Sequence, residues 1–283
     1  MHKTITVAMA AASLLALSGC KQTAGNVNEN AASENAASPS ANAQGIDGTW
    51  KADLSSVQMN QKPDELLLKG GQFSCATCIP PIALAADGAF HAVTGRPYAD
   101  SIAVKVDDDH SVTRTDKKGD KVTSEGKYHV SDDGKTLTID FTDSSTPNAP
   151  PVKGTFTETR VAPAPAGAHA ISGSWKPEKY NNINDEALTV TYKVDGDILH
   201  MSSPAGQSYD AKLDGTDTPI KGDIGGTTAS VKKVGDNTYE ETDKRGGKVI
   251  SVATITVAPD GKLNVSSEDK RNGSTMKYVA NRQ

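Results

Sequence analysis

Aromatic residues make up only 5% of this 283-residue chain, with two tryptophans and four phenylalanines. Its cores must therefore be built mainly from Val, Ile, Leu, Ala and Thr. There are three cysteines, Cys20, Cys75 and Cys78. That is too few for a disulfide-dense scaffold or for a four-cysteine zinc site. No H-E-x-x-H, G-x-S-x-G or phosphate-loop motif occurs, and His91, His110, His129, His169 and His200 fall in no metal or hydrolase pattern. The chain is therefore expected to be non-enzymatic, with no cofactor and no metal. The net charge of −5 argues against nucleic acid as a partner. Beyond the N-terminus, no apolar stretch is long enough to span a bilayer.

The N-terminus "MHKTITVAMAAASLLALSGCKQ" has a basic start at Lys3, an apolar run from Ile5 to Leu17, and then Leu17-Ser18-Gly19-Cys20. The run has the length of a signal h-region. The closing tetrapeptide resembles the lipobox of bacterial lipoproteins. That resemblance implies cleavage after Gly19 and acylation of Cys20, with the bilayer as partner through the lipid. Lys21 in place of Asp implies, by proteobacterial sorting rules, an outer-membrane anchor facing the periplasm or the cell surface rather than inner-membrane retention. Residues 1–19 are expected to be the signal peptide. Residues 20–45 are expected to be the lipidated cysteine and a disordered Ala/Asn/Ser/Gln tether that cannot bury enough apolar surface to fold.

The remainder is a duplication. "GTWK" at 48–51 recurs as "GSWK" at 173–176, "TDKKGDKV" at 115–122 as "TDKRGGKV" at 242–249, and "SDDGK" at 131–135 as "APDGK" at 258–262. Asp87 to Lys135 aligns without a gap on Asp214 to Lys262. This predicts one β domain over 46–161, a Pro/Ala linker at 162–170 and a second β domain over 171–283, each folding on its own.

Both copies read as strands. Val190, Tyr192 and Val194 alternate with Thr191 and Lys193, and "VDGD" supplies a tight turn. Val249, Ala253, Ile255 and Val257 are assigned to one face. Ile102, Val104 and Val106 alternate, as do Leu137, Ile139 and Phe141. The expected fold is all-β: two tandem antiparallel up-and-down barrels, or strongly curved meander sheets, that close to protect their edges. "GTW" and "GSW" resemble the Gly-x-Trp signature of lipocalins and related small barrels. The resemblance implies that Trp50 and Trp175 each close a barrel end against an arginine of a last strand, with Arg160 and Arg282 at the matching ends of the copies. The chain is also similar to a group of secreted bacterial proteins built from "GTWK…DGK" domains, which has no activity to transfer.

With Cys20 lipidated in an oxidising compartment, Cys75 and Cys78 are each other's partners within the chain. Redox chemistry would want a helix after the first cysteine, which Pro80 and Pro81 bar. Zinc would want two more ligands, with His91 the nearest candidate. A structural disulfide is expected. The acidic "VDDDHSV" and the basic "TDKKGDK" and "TDKRGGK" read as solvated hairpin turns. "TGRPYADS", 94–101, is the most decorated loop. It offers Arg96, Tyr98 and Asp100 where the second copy has "KGDIGGTT". It is the candidate binding loop, the bland alternative being an Arg96–Asp100 pair. The functional expectation is a non-catalytic module for a small apolar or envelope ligand. A structural lipoprotein, or an inhibitor presenting loops to a protein partner, is the alternative.

Overall fold

The computed structural model describes residues 45–283; the signal peptide, Cys20 and nearly all of the tether lie outside it. The first half contains β1 (Gly48–Ala52), β2 (Gln58–Asn60), β3 (Asp64–Lys69), β4 (Gln72–Cys75), β5 (Ile82–Ala85), β6 (Asp87–Ala92), β7 (Ser101–Val106), β8 (Ser111–Lys118), β9 (Lys121–Val130), β10 (Thr136–Asp143) and β11 (Val152–Ala162). The second half contains β12 (Gly173–Ile183), the short helix α1 (Asp185–Leu188), β13 (Thr189–Asp195), β14 (Ile198–Ser202), β15 (Ser208–Lys212), β16 (Thr218–Pro219), β17 (Thr227–Gly235), β18 (Thr238–Arg245), β19 (Lys248–Val257), β20 (Leu263–Asp269) and β21 (Ser274–Arg282). Every pairing is antiparallel, and the strands form two nearly closed, barrel-like sheets. One barrel follows the order β5-β4-β3-β12-β11-β10-β9-β8-β7-β6. The other follows β15-β14-β13-β1-β21-β20-β19-β18-β17-β16, with β2 added on β21.

These orders differ from the expected division of the chain. β1, the first strand of copy 1, pairs with β13 and β21 in the second barrel, in the register Trp50↔Val190 and Trp50↔Arg282. β12, the first strand of copy 2, lies in the first barrel between β11 and β3, with Trp175↔Arg160 and Trp175↔Asp64. The two copies have exchanged their first strands. The first barrel is therefore one continuous segment, β3 to β12. The second is split, needing β1 as well as β13 to β21. Residues 162–170 do not link the barrels. They form the β11–β12 connection of the first barrel, held there by Lys69 Nζ donating to the Ala166 carbonyl (2.9 Å) and the His169 amide donating to that of Leu68 (2.8 Å). The chain crosses between barrels twice, at residues 53–63 and through α1. The physical reason is local: the β11–β12 connection is short enough for β12 to fold back on β11 as a hairpin, the connection antiparallel neighbours favour.

Each barrel has its own packed core. Leu66, Val104, Val130, Leu137, Phe156 and Trp175 belong to the first, and Trp50, Tyr192, Leu199, Tyr209, Ile255 and Leu263 to the second. The interiors are filled by the chain's own side chains, as in other small barrels.

The Gly-x-Trp segments do the same work in both barrels. Trp50 and Trp175 are fully buried, and each indole N–H donates to the carbonyl four residues earlier, Ile46 or Ile171, at 2.8 Å. Arg282 lies over Trp50 (4.2 Å to the ring centroid) and Arg160 over Trp175 (4.0 Å). The glycine of the motif is needed for this stacking. Gly48 (φ 133°) and Gly173 (φ 130°) have backbone conformations that side chains disfavour, and a Cβ on either would overlap the arginine Nη1 above it.

The face assigned to Val249 shifts, and Val122, at the matching place in the first copy, behaves likewise. Val249 and Val122 are exposed because bulges follow Asp243 and Asp116, where Asp243 pairs with Ser251 but Lys244 pairs with Val249. The extra residues, Ile250 and Thr123, reverse the pleat. Val106 is also exposed, at the β7–β8 turn.

Candidate functional site at the junction of the barrels

The loop after β6 is tightly tethered. The Val93 amide donates to the Asp100 carbonyl and the Asp100 amide to that of Lys117, both at 2.8 Å. Lys118 Nζ donates to the Pro97 carbonyl (2.6 Å), Gly119 N–H to Asp100 Oδ2 (2.8 Å), and Thr123 Oγ1 to the Tyr98 carbonyl (2.8 Å). Arg96 does not pair with Asp100; its Nη2 donates to the Pro80 carbonyl. The candidate residues therefore separate. Asp100 caps the β8–β9 hairpin, Arg96 braces the "IPP" segment, and Tyr98 points away from its own barrel.

Tyr98 is buried against the corresponding loop of copy 2. Its hydroxyl donates to Asp223 Oδ1 (2.6 Å) and accepts from Arg245 Nη2 (2.9 Å), which also donates to Thr227 Oγ1 (2.8 Å). Asp223 Oδ2 accepts from the Thr227 amide (2.7 Å). The two equivalent loops thus meet face to face. In the gapless alignment, Tyr98 corresponds to Gly225 and Arg96 to Asp223. A Cβ on Gly225 would sit 2.8 Å from the Tyr98 ring, so glycine in one copy makes room for tyrosine from the other. Burial, then the Asp223 carboxylate, pushes the Tyr98 phenol well up, and it stays protonated.

Around this contact is a cleft of about 190 Å³, lined from the first barrel by Ile79 and residues 96–99 and from the second by Asp223, Thr227, Asp243, Arg245, Glu268 and Arg271, among others. Asp243 is the deepest charge. It is 3% exposed, and Ser251 Oγ donates to its Oδ2 (2.9 Å). Burial pushes its pKa up to about 6, Asp223 adds to the rise, and the Ser251 hydrogen bond and Arg245 oppose it. Two residues back on β18, and also inward, is Glu241. It accepts from Tyr209 Oη (2.9 Å) and is held well above the usual carboxylate range by burial and by Asp243.

The first barrel handles the same positions differently. Arg114 stands where Glu241 stands and grips Asp116, the equivalent of Asp243, through Nε–Oδ1 (2.8 Å) and Nη2–Oδ2 (2.6 Å). That bidentate pair is internally compensated. In the second barrel Asp243 faces the cleft instead. Asp243 Oδ1 and Arg245 Nε, both buried, have no hydrogen-bond partner.

Cys75 and Cys78 form a disulfide (Cα–Cα 5.4 Å) in the core of the first barrel, and the Cys78 amide donates to Cys75 Sγ (3.1 Å). Trp50, Trp175, Arg160 and Arg282 are not among the residues that line the cleft. Asp223, Glu241, Asp243 and Arg245 were not singled out from the sequence. The signal for Asp243 was the repeated "TD", which falls in phase with the inward Val112 and Arg114 of β8 and Tyr239 and Glu241 of β18. Among the described residues, no group of three His, Cys, Asp or Glu side chains has metal-site geometry, and no helix is long and apolar enough to cross a membrane. Comparison of the chain with protein-family models, curated proteins and solved structures found no match.

Proposed function

We propose that this chain is an exported, lipid-anchored, non-catalytic binding protein whose ligand occupies the cleft between its barrels. The observation that carries this reading is the insertion of Tyr98 from one copy into the Asp223–Thr227 loop of the other, beside buried charged side chains that line a concave space. Concave sites between domains, with a few convergent polar groups, are where small ligands bind. The packed barrel interiors favour the cleft over a lumen as the seat of the ligand. Its charged lining favours a small polar ligand over the apolar one expected from the sequence. The lipobox supports an acylated Cys20 and an outer-membrane anchor, which leaves both barrels outside the bilayer.

Native mass spectrometry of gently purified protein tests this reading. A small polar molecule should accompany the wild type and be lost from Tyr98→Ala. A co-purifying acyl-chain lipid, or a ligand retained by Tyr98→Ala, would contradict it. A chain that carries nothing and binds nothing would fit the alternative, an interaction lipoprotein presenting loops to a protein partner.

A further inference from the structure

We infer that Arg245 is a two-position latch on the cleft: it either holds Tyr98 against the second barrel, as described above, or turns onto Asp243 and lets Tyr98 go. The latch governs access to the proposed ligand site, and in that respect it rests on the reading of the cleft. Two atoms without partners point to the second position. Asp243 Oδ1 and Arg245 Nε are buried with no hydrogen bond, on residues two apart on β18. The same two atoms bond to each other elsewhere in the chain. In the first barrel Arg114 Nε donates to Asp116 Oδ1 (2.8 Å) and Nη2 to Asp116 Oδ2 (2.6 Å). At the end of β20, Arg271 Nε donates to Asp269 Oδ1 (2.9 Å) and Nη2 to Asp269 Oδ2 (2.6 Å). Both pairs are two residues apart, and Asp269–Arg271 runs in the same order as Asp243–Arg245. The spacing therefore suits a bidentate, charge-assisted pair, which is among the stronger hydrogen-bonded contacts. Arg245 does not make it because its Nη2 is turned to Tyr98 Oη (2.9 Å) and Thr227 Oγ1 (2.8 Å).

The two positions compete. Both Nη2 protons are spent on Tyr98 and Thr227, so turning Nη2 to Asp243 gives up at least one of those bonds. Tyr98 then keeps Asp223 but loses its cation, and the wall of the cleft that Tyr98 supplies is released. The pair also needs Asp243 ionised. Asp243 is faced by Glu241 and Arg245 of its own strand, by Ser251 of β19, by Asp223, and by Tyr192 and Tyr209 in the barrel interior. Arg96 and Tyr98 line the cleft from the other barrel, and Glu268, Asp269 and Arg271 line it from the same one. Glu241 is engaged by Tyr209, and Arg271 by Asp269. Burial pushes the Asp243 pKa up to about 6 with the latch closed. A proton there removes the attraction for Arg245, so acid keeps the latch closed. As pH rises through about 6 the carboxylate forms and draws Arg245 away from Tyr98.

The test is an NMR titration of the Asp243 carboxyl carbon in the full chain in detergent, in the wild type and in Tyr98→Phe. The variant keeps the ring but removes the hydroxyl that receives Arg245. Its Asp243 midpoint should fall by roughly one to three pH units, the effect of a newly paired guanidinium. A midpoint that does not move would overturn the latch. The wild type supplies a second measurement that no folding defect can confuse. The ring signals of Tyr98 should shift between about pH 5 and 7 with the midpoint of Asp243, and ring signals constant across that range would also overturn it. Native mass spectrometry separates the latch from the cleft reading. A ligand lost in Tyr98→Ala, with an unmoved Asp243 midpoint in Tyr98→Phe, defeats the latch and leaves the ligand site. A moved midpoint in a protein that carries no ligand keeps the latch and removes the ligand site.

Discussion

Arg282, one residue from the end of the chain, lies over the ring of Trp50, near the start of the described residues, with 4.2 Å from guanidinium to ring centroid. Arg160 holds Trp175 in the same way at 4.0 Å. Each pair joins the last strand of one copy to the first strand of the other, because the copies have exchanged their first strands. Neither barrel is complete within its own copy, and the junction that holds the cleft is fixed by two chain crossings.

This exchange predicts an unequal pair of fragments. Residues 62–184 contain every strand of the first barrel and should give a β circular-dichroism spectrum and a cooperative melt. Residues 171–283 carry β12 without its barrel and lack β1, and should not melt cooperatively. Adding a peptide of residues 45–57 to residues 184–283 should restore the transition. A cooperative melt of 171–283 alone would contradict the assignment.

The motif geometry predicts the cost of breaking it. Trp175→Ala should destabilise the protein by about 3–5 kcal/mol in denaturant unfolding, the range for truncating a fully buried large aromatic. Gly48→Ala and Gly173→Ala should also destabilise, because each places a Cβ against Arg282 or Arg160 at a φ that favours glycine. A Trp175→Ala change below about 1 kcal/mol would indicate a surface ring.

Much of this was legible in the sequence, and what was not has a physical cause. Alternation gave the β class, and the buried Val104, Val190, Leu137 and Ile139 follow it. It failed at Val249 because a bulge leaves no mark in the alternation before it; the same bulge turns Val122 outward in the first copy. The duplication was plain, but repeat alignment reports which segments are alike, not which strands pair. The Cys75–Cys78 disulfide followed from compartment and elimination. Tyr98 stood out as a copy-specific residue, while its partners did not, because Asp223, Gly225 and Thr227 lie in the copy that lacks the tyrosine and gain their role only when the two loops are brought together.

Stability should depend on pH through Asp243. Its folded pKa of about 6 lies above the ordinary 3.8, so the folded state holds an extra proton between these values. The associated stability is full below about 4 and lost as pH rises through about 6. The exposed aspartates with lowered pKa values, Asp53, Asp87, Asp133 and Asp210 among them, act below that window, because they are already ionised in both states across it. Asp243→Asn should therefore lessen the decline between pH 4 and 7, by a difference on the order of 3 kcal/mol at ~1.4 kcal/mol per pKa unit, with Glu241, also held above the usual carboxylate range, supplying what decline remains. Denaturant unfolding at the two pH values checks it. An unchanged slope in the variant would place the titration elsewhere.

The cysteines should behave as two classes. Thiol labelling of unreduced, purified protein should find no free cysteine, with Cys75 and Cys78 bonded and Cys20 acylated. Cys20→Ser should move the protein from the membrane to the soluble fraction. Persistent membrane association and fatty-acid labelling of that variant would refute the lipid anchor.

The strand exchange is tested most directly by cross-linking β1 to its neighbour. Thr49 faces Thr191 of β13, with their hydroxyls 2.9 Å apart, whereas Ser174 of β12 faces Glu65 of β3. Without exchange, Thr49 would face Glu65. In the double variant T49C/T191C, peptide mapping under mild oxidation should find the two introduced thiols bonded to each other within a monomer. In T49C/E65C the introduced thiols should stay unlinked to each other. A bond between positions 49 and 65, or a bond between positions 49 and 191 found only between two chains, would contradict the single two-barrel body on which the cleft depends.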